Sequence, residues 1–166
     1  MARYRIYNGA MPTTAAFVPV TTGTSIKTLL QLKPFNQCKI VAWGISFDGS
    51  AAATPIKVEL IETGTVFGTV TASADADCIK MNGADQAVAS VAGLTLGTSA
   101  TGYTCTSEGS ITTTRMFDEQ LVAPTNQYIY QFPLGQEPVM VIGNATRIRV
   151  TAAAAVNAIA WIEVEI

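Results

Sequence analysis

Four carboxylates stand where paired acids could do chemistry. Asp75 and Asp77 are one residue apart in "SADADC", and Asp118 and Glu119 are adjacent in "MFDEQ". Two carboxyl groups flanking a sugar can cleave a glycosidic bond, one as acid and the other as base or nucleophile. Neither pair has the right setting. Asp75 and Asp77 lie among small residues, where solvated charge is the ordinary role. Asp118 and Glu119, as neighbours on a strand, would face opposite sides. The chain has no histidine, so the commonest general base and metal ligand is missing. Neither a Ser–His–Asp nor a Cys–His site can form within one chain. Asp85 adds a third carboxylate to "DAD", but the spacing is not that of a calcium loop, which supplies about six to eight oxygens. Cys38, Cys78 and Cys105 are odd in number and lack metal-ligand spacing. They read as small buried hydrophobes, with bridging between subunits reserved for an assembled product in an oxidising environment. "NAT" at Asn144–Thr146 fits a glycan acceptor pattern, yet it reads as a turn entering a strand. No enzyme, metal site or cofactor is expected.

Composition narrows the class further. At 166 residues the chain is the size of one domain with a proper core. Charged residues make up only 13% and hydrophobic ones 49%, which excludes disorder and suits close contact with other protein. A formal charge of −2 without a basic cluster argues against nucleic acid, whose phosphates require Lys and Arg. The longest uncharged apolar stretch, 152–162, falls short of the roughly 18 residues of a membrane helix. "MARYRIYNGAMPTT" lacks the apolar segment of a secretory signal, so synthesis in the cytosol is expected.

The elements that would position any site are strands. Period-two alternation recurs and helical periodicity is almost absent. In "CKIVAWGISF" Val41, Trp43, Ile45 and Phe47 form a core face opposite Ile40, Ala42, Gly44 and Ser46. "PIKVELIE" turns Ile56, Val58 and Leu60 inward, and Lys57, Glu59 and Ile61 outward. "WIEVEI" puts Ile162, Val164 and Ile166 on one face and Glu163 and Glu165 on the other. A strand ending on Ile166 must be paired, since its backbone and side chain would otherwise face water. Turns rich in Gly, Pro, Asn and Asp separate the runs, among them "FDGSAAATP", "MNGAD" and "PLGQEP". The runs give about eight or nine strands, near 15–20, 26–33, 39–47, 56–62, 65–72, 111–122, 127–132, 146–153 and 156–166, spaced as in an antiparallel β-sandwich. The stretch 73–110 breaks the rhythm and reads as a long loop excursion with room for a short helix near 84–92. The expected organisation is an arm or edge strand at 1–14 and a single sandwich domain at 15–166.

"ARYRIY" offers contact residues. Arg3, Arg5 and Tyr7 alternate with Tyr4 and Ile6. The stretch reads either as a charged, guarded edge strand or as an arm whose Arg3, Tyr4, Arg5 and Tyr7 anchor a partner. Glu163 and Glu165 could pair with Arg3 and Arg5, or with Arg147 and Arg149.

Three segments together resemble a known family: "VTTGTSIKTLLQLKP" at 20–34, "KIVAWGISFDGSAAATPIKVELIETG" at 39–64 and "RIRVTAAAAVNAIAWIEVEI" at 147–166. They are similar to the β-sandwich decoration (cement) and head-fibre-type proteins of tailed bacteriophages. The resemblance covers about half the chain and leaves 73–110 without a counterpart. It implies a jelly-roll-like all-β sandwich, a homotrimer, and a virion structural role on the outer capsid surface after assembly in the host cytoplasm. The implied partner is the major capsid protein, whose subunit contacts such proteins clamp. A second expectation is a carbohydrate- or receptor-binding module on the virion, because jelly rolls also serve as lectins. Its aromatic candidates are Tyr103, Tyr128, Tyr130 and Trp161.

Overall fold

The computed structural model describes residues 1–50 and 54–166. Its strands, in chain order, are β1 (Arg3–Tyr7), β2 (Val20–Thr21), β3 (Ile26–Leu32), β4 (Lys39–Phe47), β5 (Ile56–Thr63) and β6 (Thr69–Ala72). There follow a single 3₁₀ turn (Asp75–Asp77), β7 (Cys78–Lys80), β8 (Gly102–Ser107), β9 (Thr113–Val122), β10 (Gln127–Gln131), β11 (Ala145–Thr151) and β12 (Asn157–Glu165). They form two antiparallel six-stranded sheets. The first runs β10-β4-β12-β1-β7 with β2 added beside β12, and the second runs β6-β8-β3-β11-β5-β9. The protein is an all-β sandwich. Without β2 and the 64–112 insertion, eight strands remain. Renumbered one to eight, they run 6-3-8-1 in one sheet and 2-7-4-5 in the other.

The core lies between the sheets because apolar side chains alternate on the facing surfaces. Tyr4, Ile6, Trp43, Ile45, Phe47, Ile162 and Val164 enter it from the first sheet, and Val58, Leu60, Ile148 and Val150 from the second. Trp43 is wholly buried. Its indole N–H donates to Asp118 Oδ2 across the sandwich at 3.2 Å, and Tyr128 O–H donates to the same oxygen at 2.8 Å. Tyr128 also meets Trp43 edge-on. An inward carboxylate on the edge strand β9 thus ties the two sheets together, as edges guarded by inward charge do. Glu119 faces the other way, opposite Glu59, so the two acids are separated as their adjacency requires.

Several expectations need correction. The face assigned to "CKIVAWGISF" slips by one residue at Val41, because the register of β12 steps from Ala42 directly to Ile40. This bulge moves Ile40 onto the Trp43 face and takes Val41 out of the core cluster. Residues 1–14 hold neither an arm nor an edge strand: β1 is hydrogen-bonded to β12 on one side and β7 on the other. The excursion at 73–110 is loop over 81–101, but it also contributes β7 to one sheet and β8 to the other. Residues 84–92 form turns and no helix. Of the strand expected near 15–20 only Val20 pairs, as half of the two-residue β2, and residues 65–68 are irregular. Residues 51–53 of the turn "FDGSAAATP" lie outside the described residues.

The 64–112 insertion covers the outer face of the second sheet. Beneath it Ile61, Gln31 and Arg147 are wholly buried in one row. Gln31 accepts from Gly68 N–H and donates to the carbonyls of Ser99 and Ala100. The Arg147 guanidinium donates to Val66 O at 2.8 Å and lies 3.5 Å from the Glu108 carboxylate. Ile166 is half-buried and anchored. It exchanges two backbone hydrogen bonds with Ala2, and its side chain fills the space where a Cβ on Gly93 would stand.

Candidate functional site

The outward side chains of β1 and their neighbours build one continuous surface on the first sheet. Register places Ile129, Gly44, Trp161 and Tyr7 in one row across four strands, and Ala42, Glu163, Arg5 and Ile79 in the next. Between β10 and β12, β4 presents the small residues Ala42, Gly44 and Ser46 to this face, and Lys39 at its start. That leaves room for the Trp161 ring to lie across Gly44, where a Cβ would approach it to 2.8 Å. The Arg5 guanidinium stacks over the same indole at 4.4 Å, a contact worth about 0.5–1 kcal/mol at such a site.

Its charges are neutralised internally. Arg5 donates to Glu163 Oε2 at 2.7 Å and Arg3 to Glu165 Oε2 at 3.2 Å, with Lys39 4.0 Å from Glu165. Burial pulls the Arg5 guanidinium down, and its hydrogen bond to Glu163 more than restores it, so its pKa ends above the ordinary value. The two alternatives for Glu163 and Glu165 are resolved in favour of Arg3 and Arg5. Arg149 instead pairs with Glu59 and Arg147 with Glu108. Half-exposed pairs of this kind contribute little energy but hold β1 and β12 in register.

Beyond Tyr7 the surface drops into an apolar cavity of about 270 Å³. Residues 9–19 arch over it, with Phe17 seated against Gly9 and tilted on Tyr7 at 5.7 Å. Tyr7, Met11, Phe17, Ile79 and Ile159 line it. The arch is pinned by Asp77, which accepts Met11 N–H at 2.7 Å and Ala74 N–H at 2.8 Å. Asn8 pins its start by extending the strand ladder through its side chain, accepting from Ala160 N–H and donating to Ala158 O.

Of the contact residues named from the sequence, Arg3, Arg5 and Tyr7 share this face, while Tyr4 points into the core and donates to Gln86 O at 2.7 Å. The expected core residues Trp43, Ile45, Phe47, Val58, Leu60, Ile162 and Val164 are buried, and Ile166 packs partly against them. Trp161, Phe17, Ile79 and Ile159 complete the face; of these only Trp161 was singled out, and only as a sugar-binding aromatic. The period-two row Ile159–Trp161 beside Arg5 and Tyr7 was the available signal, but without the β1–β12 register it pointed nowhere. The remaining chemistry candidates are structural ties. Asp75 accepts Ala89 N–H, and among the described residues no three His, Cys, Asp or Glu side chains gather as a metal cluster. All three cysteines are buried and free. Burial pushes the Cys38 and Cys78 thiols up to about 12 and Cys105 up to about 11. Of the aromatics considered for sugar binding, Trp161 is engaged by Arg5 and Tyr128 by Asp118. Comparison with protein-family models, with curated proteins and with solved structures finds no match for this chain.

Proposed function

We propose that this chain is a virion structural protein, a decoration (cement) protein that binds the outside of a tailed-phage head and braces contacts between major capsid protein subunits. The observation that carries the reading is the outer face of the first sheet. Its charges are held in its own ion pairs, it is backed by the buried core, and it ends in an apolar cavity beside Tyr7. Such a surface gains its affinity from buried area and shape and supplies no chemistry. The strand order 6-3-8-1 and 2-7-4-5 supports reading the sandwich as a jelly roll, which has two Greek keys in eight strands. The sequence resemblance of 20–34, 39–64 and 147–166 points to the same class. In this reading the chain is made in the host cytoplasm and works as a homotrimer on the capsid surface, where repeated contacts reinforce the shell multivalently.

The test compares heads assembled with and without the chain. Heads carrying it are expected to retain their DNA to higher temperature, and Tyr7→Glu, which places a charge in the apolar cavity mouth, is expected to abolish binding to bare heads. Equal thermal survival of decorated and bare heads removes the bracing role. Undiminished binding of a folded Tyr7→Glu variant removes this face as the capsid contact.

A further inference from the structure

The end of the sandwich where β4 begins carries an apolar surface that neither the core nor the face described above uses. Leu134 is 90% exposed, Ile142 61% and Phe35 60%, and Val139 and Val141 beside them are also exposed. Register and hydrogen bonds bring these residues to one end. Val139 bridges to Lys39, Ile40 N–H donates to Pro138 O, and Gly143 N–H donates to Pro34 O at 3.3 Å.

We propose that this end is the surface through which copies of the chain associate. Three observations select a second copy as its occupant. The first is area. The five side chains leave on the order of 500 Å² of apolar surface in water, the upper end of what a monomer exposes in one patch. That is more than half of the ~800 Å² that each partner gives to a standard interface. The second is preorganisation. The segment is pinned by Val141 N–H to Glu62 Oε2 at 2.9 Å, Arg115 Nη2 to Val139 O at 2.8 Å and Met140 N–H to Cys38 O at 2.9 Å. These bonds hold the segment in place before a partner arrives, which lowers the ordering cost of association. The third is charge. Arg115 is held by the buried Glu62, and Lys39 and Arg3 by Glu165. Glu137 accepts Gly135 N–H within its own turn, so this end offers a charged partner little counter-charge and a copy of the same surface little repulsion.

The assignment rests only on the part of the proposed function in which copies of the chain meet each other, not on the capsid. Its test is the full chain in solution. Light scattering across a dilution series is expected to give a multiple of the chain mass for wild type. Ile142→Glu and Phe35→Lys are expected to be folded by near-ultraviolet circular dichroism and to dissociate with an affinity about 100-fold weaker. A folded Ile142→Glu variant with unchanged mass overturns the assignment. If that variant also stops binding bare heads, the same end is a capsid contact instead. Monomeric wild type at every concentration overturns both the assignment and the homotrimer, while leaving capsid binding to be read from the heads. Should both variants misfold, hydrogen exchange on wild type decides: dilution through dissociation must deprotect 134–142, and unchanged exchange there overturns the assignment.

Discussion

Replacing Glu108 by Gln should cost the fold far more than its position on a loop suggests. Its carboxylate accepts Thr28 N–H at 2.5 Å and Thr28 O–H at 2.6 Å, and lies 3.5 Å from the guanidinium of Arg147. Arg147 is wholly buried; among the described residues its Nε has no partner, and its short hydrogen bond is to Val66 O at 2.8 Å. Burial holds its pKa below the ordinary value despite the Glu108 charge. Removing one partner of a buried pair costs about 3–5 kcal/mol because the other charge is left uncompensated. The Glu108 side chain keeps 24% of its surface in water and the contact is long, which argues for the lower end. We expect Glu108→Gln to lose about 3 kcal/mol, or about 6–12 °C in Tm for a chain of this size. Arg147→Met should cost less, about 1 kcal/mol, because it removes the buried charge along with its unmet Nε. The double variant should be no worse than Glu108→Gln alone. Urea unfolding at fixed protein concentration, followed by fluorescence of Trp43 and Trp161, measures all three. A Glu108→Gln loss under about 1 kcal/mol, or an Arg147→Met loss that exceeds it, refutes the view that the insertion is clamped by a buried charge.

Other perturbations probe separate parts of the structure. Burial pushes the Glu62 carboxyl up, but Arg115, Val141 N–H and Asn144 bring it below its ordinary 4.5, and Glu59 is likewise lowered by Arg149 and Lys57. A depressed folded pKa gives stability that is complete above the unfolded value and lost as pH falls through the folded one. Wild type should therefore lose stability on acidification below about 4.5, and Glu62→Gln should flatten that limb; an unchanged slope would contradict the pairing. Burial first and then Asp118 raise Tyr128 to about 12. Asp118→Ala should lower that alkaline titration, followed by tyrosinate absorbance, and should cost about 2 kcal/mol by leaving the buried Trp43 N–H and the half-buried Tyr128 O–H unpaired. Thr104 is β-branched yet sits at φ 53°, so Thr104→Gly should stabilise the fold by about 1 kcal/mol in thermal unfolding; destabilisation would mean the position is unstrained. The buried thiols of Cys38, Cys78 and Cys105 should resist an aromatic disulfide reagent at pH 8 until the chain is unfolded. Rapid native labelling of any one would contradict its burial.

The long strands were readable because each alternates strongly and ends at turn residues, as in 39–47, 56–62 and 127–132. What escaped depends on pairing between distant segments. "CIK" and "GYTCTS" are too short or too polar to announce β7 and β8, and pairing with β1, and with β3 and β6, makes strands of them. The bulge at Val41 arises from its register with Glu163 and Val164, so alternation within the strand could not reveal the slip. Residues 15–20 alternate plausibly, but Pro19 and an exposed, unpaired backbone leave only Val20–Thr21 in the sheet. Arg3, Arg5 and Tyr7 could be picked out as contact residues from their types. The surface they belong to could not, because Trp161, Ile159 and Ile79 reach it from strands more than 70 residues away.

The most direct test of the account is quantitative sedimentation of the full chain with bare phage heads, titrated to saturation at low and high salt. A neutral face that binds by area and shape predicts saturable binding at a fixed number of copies per head, nearly unchanged by salt. Absence of saturable binding, or binding that disappears as salt rises, contradicts it.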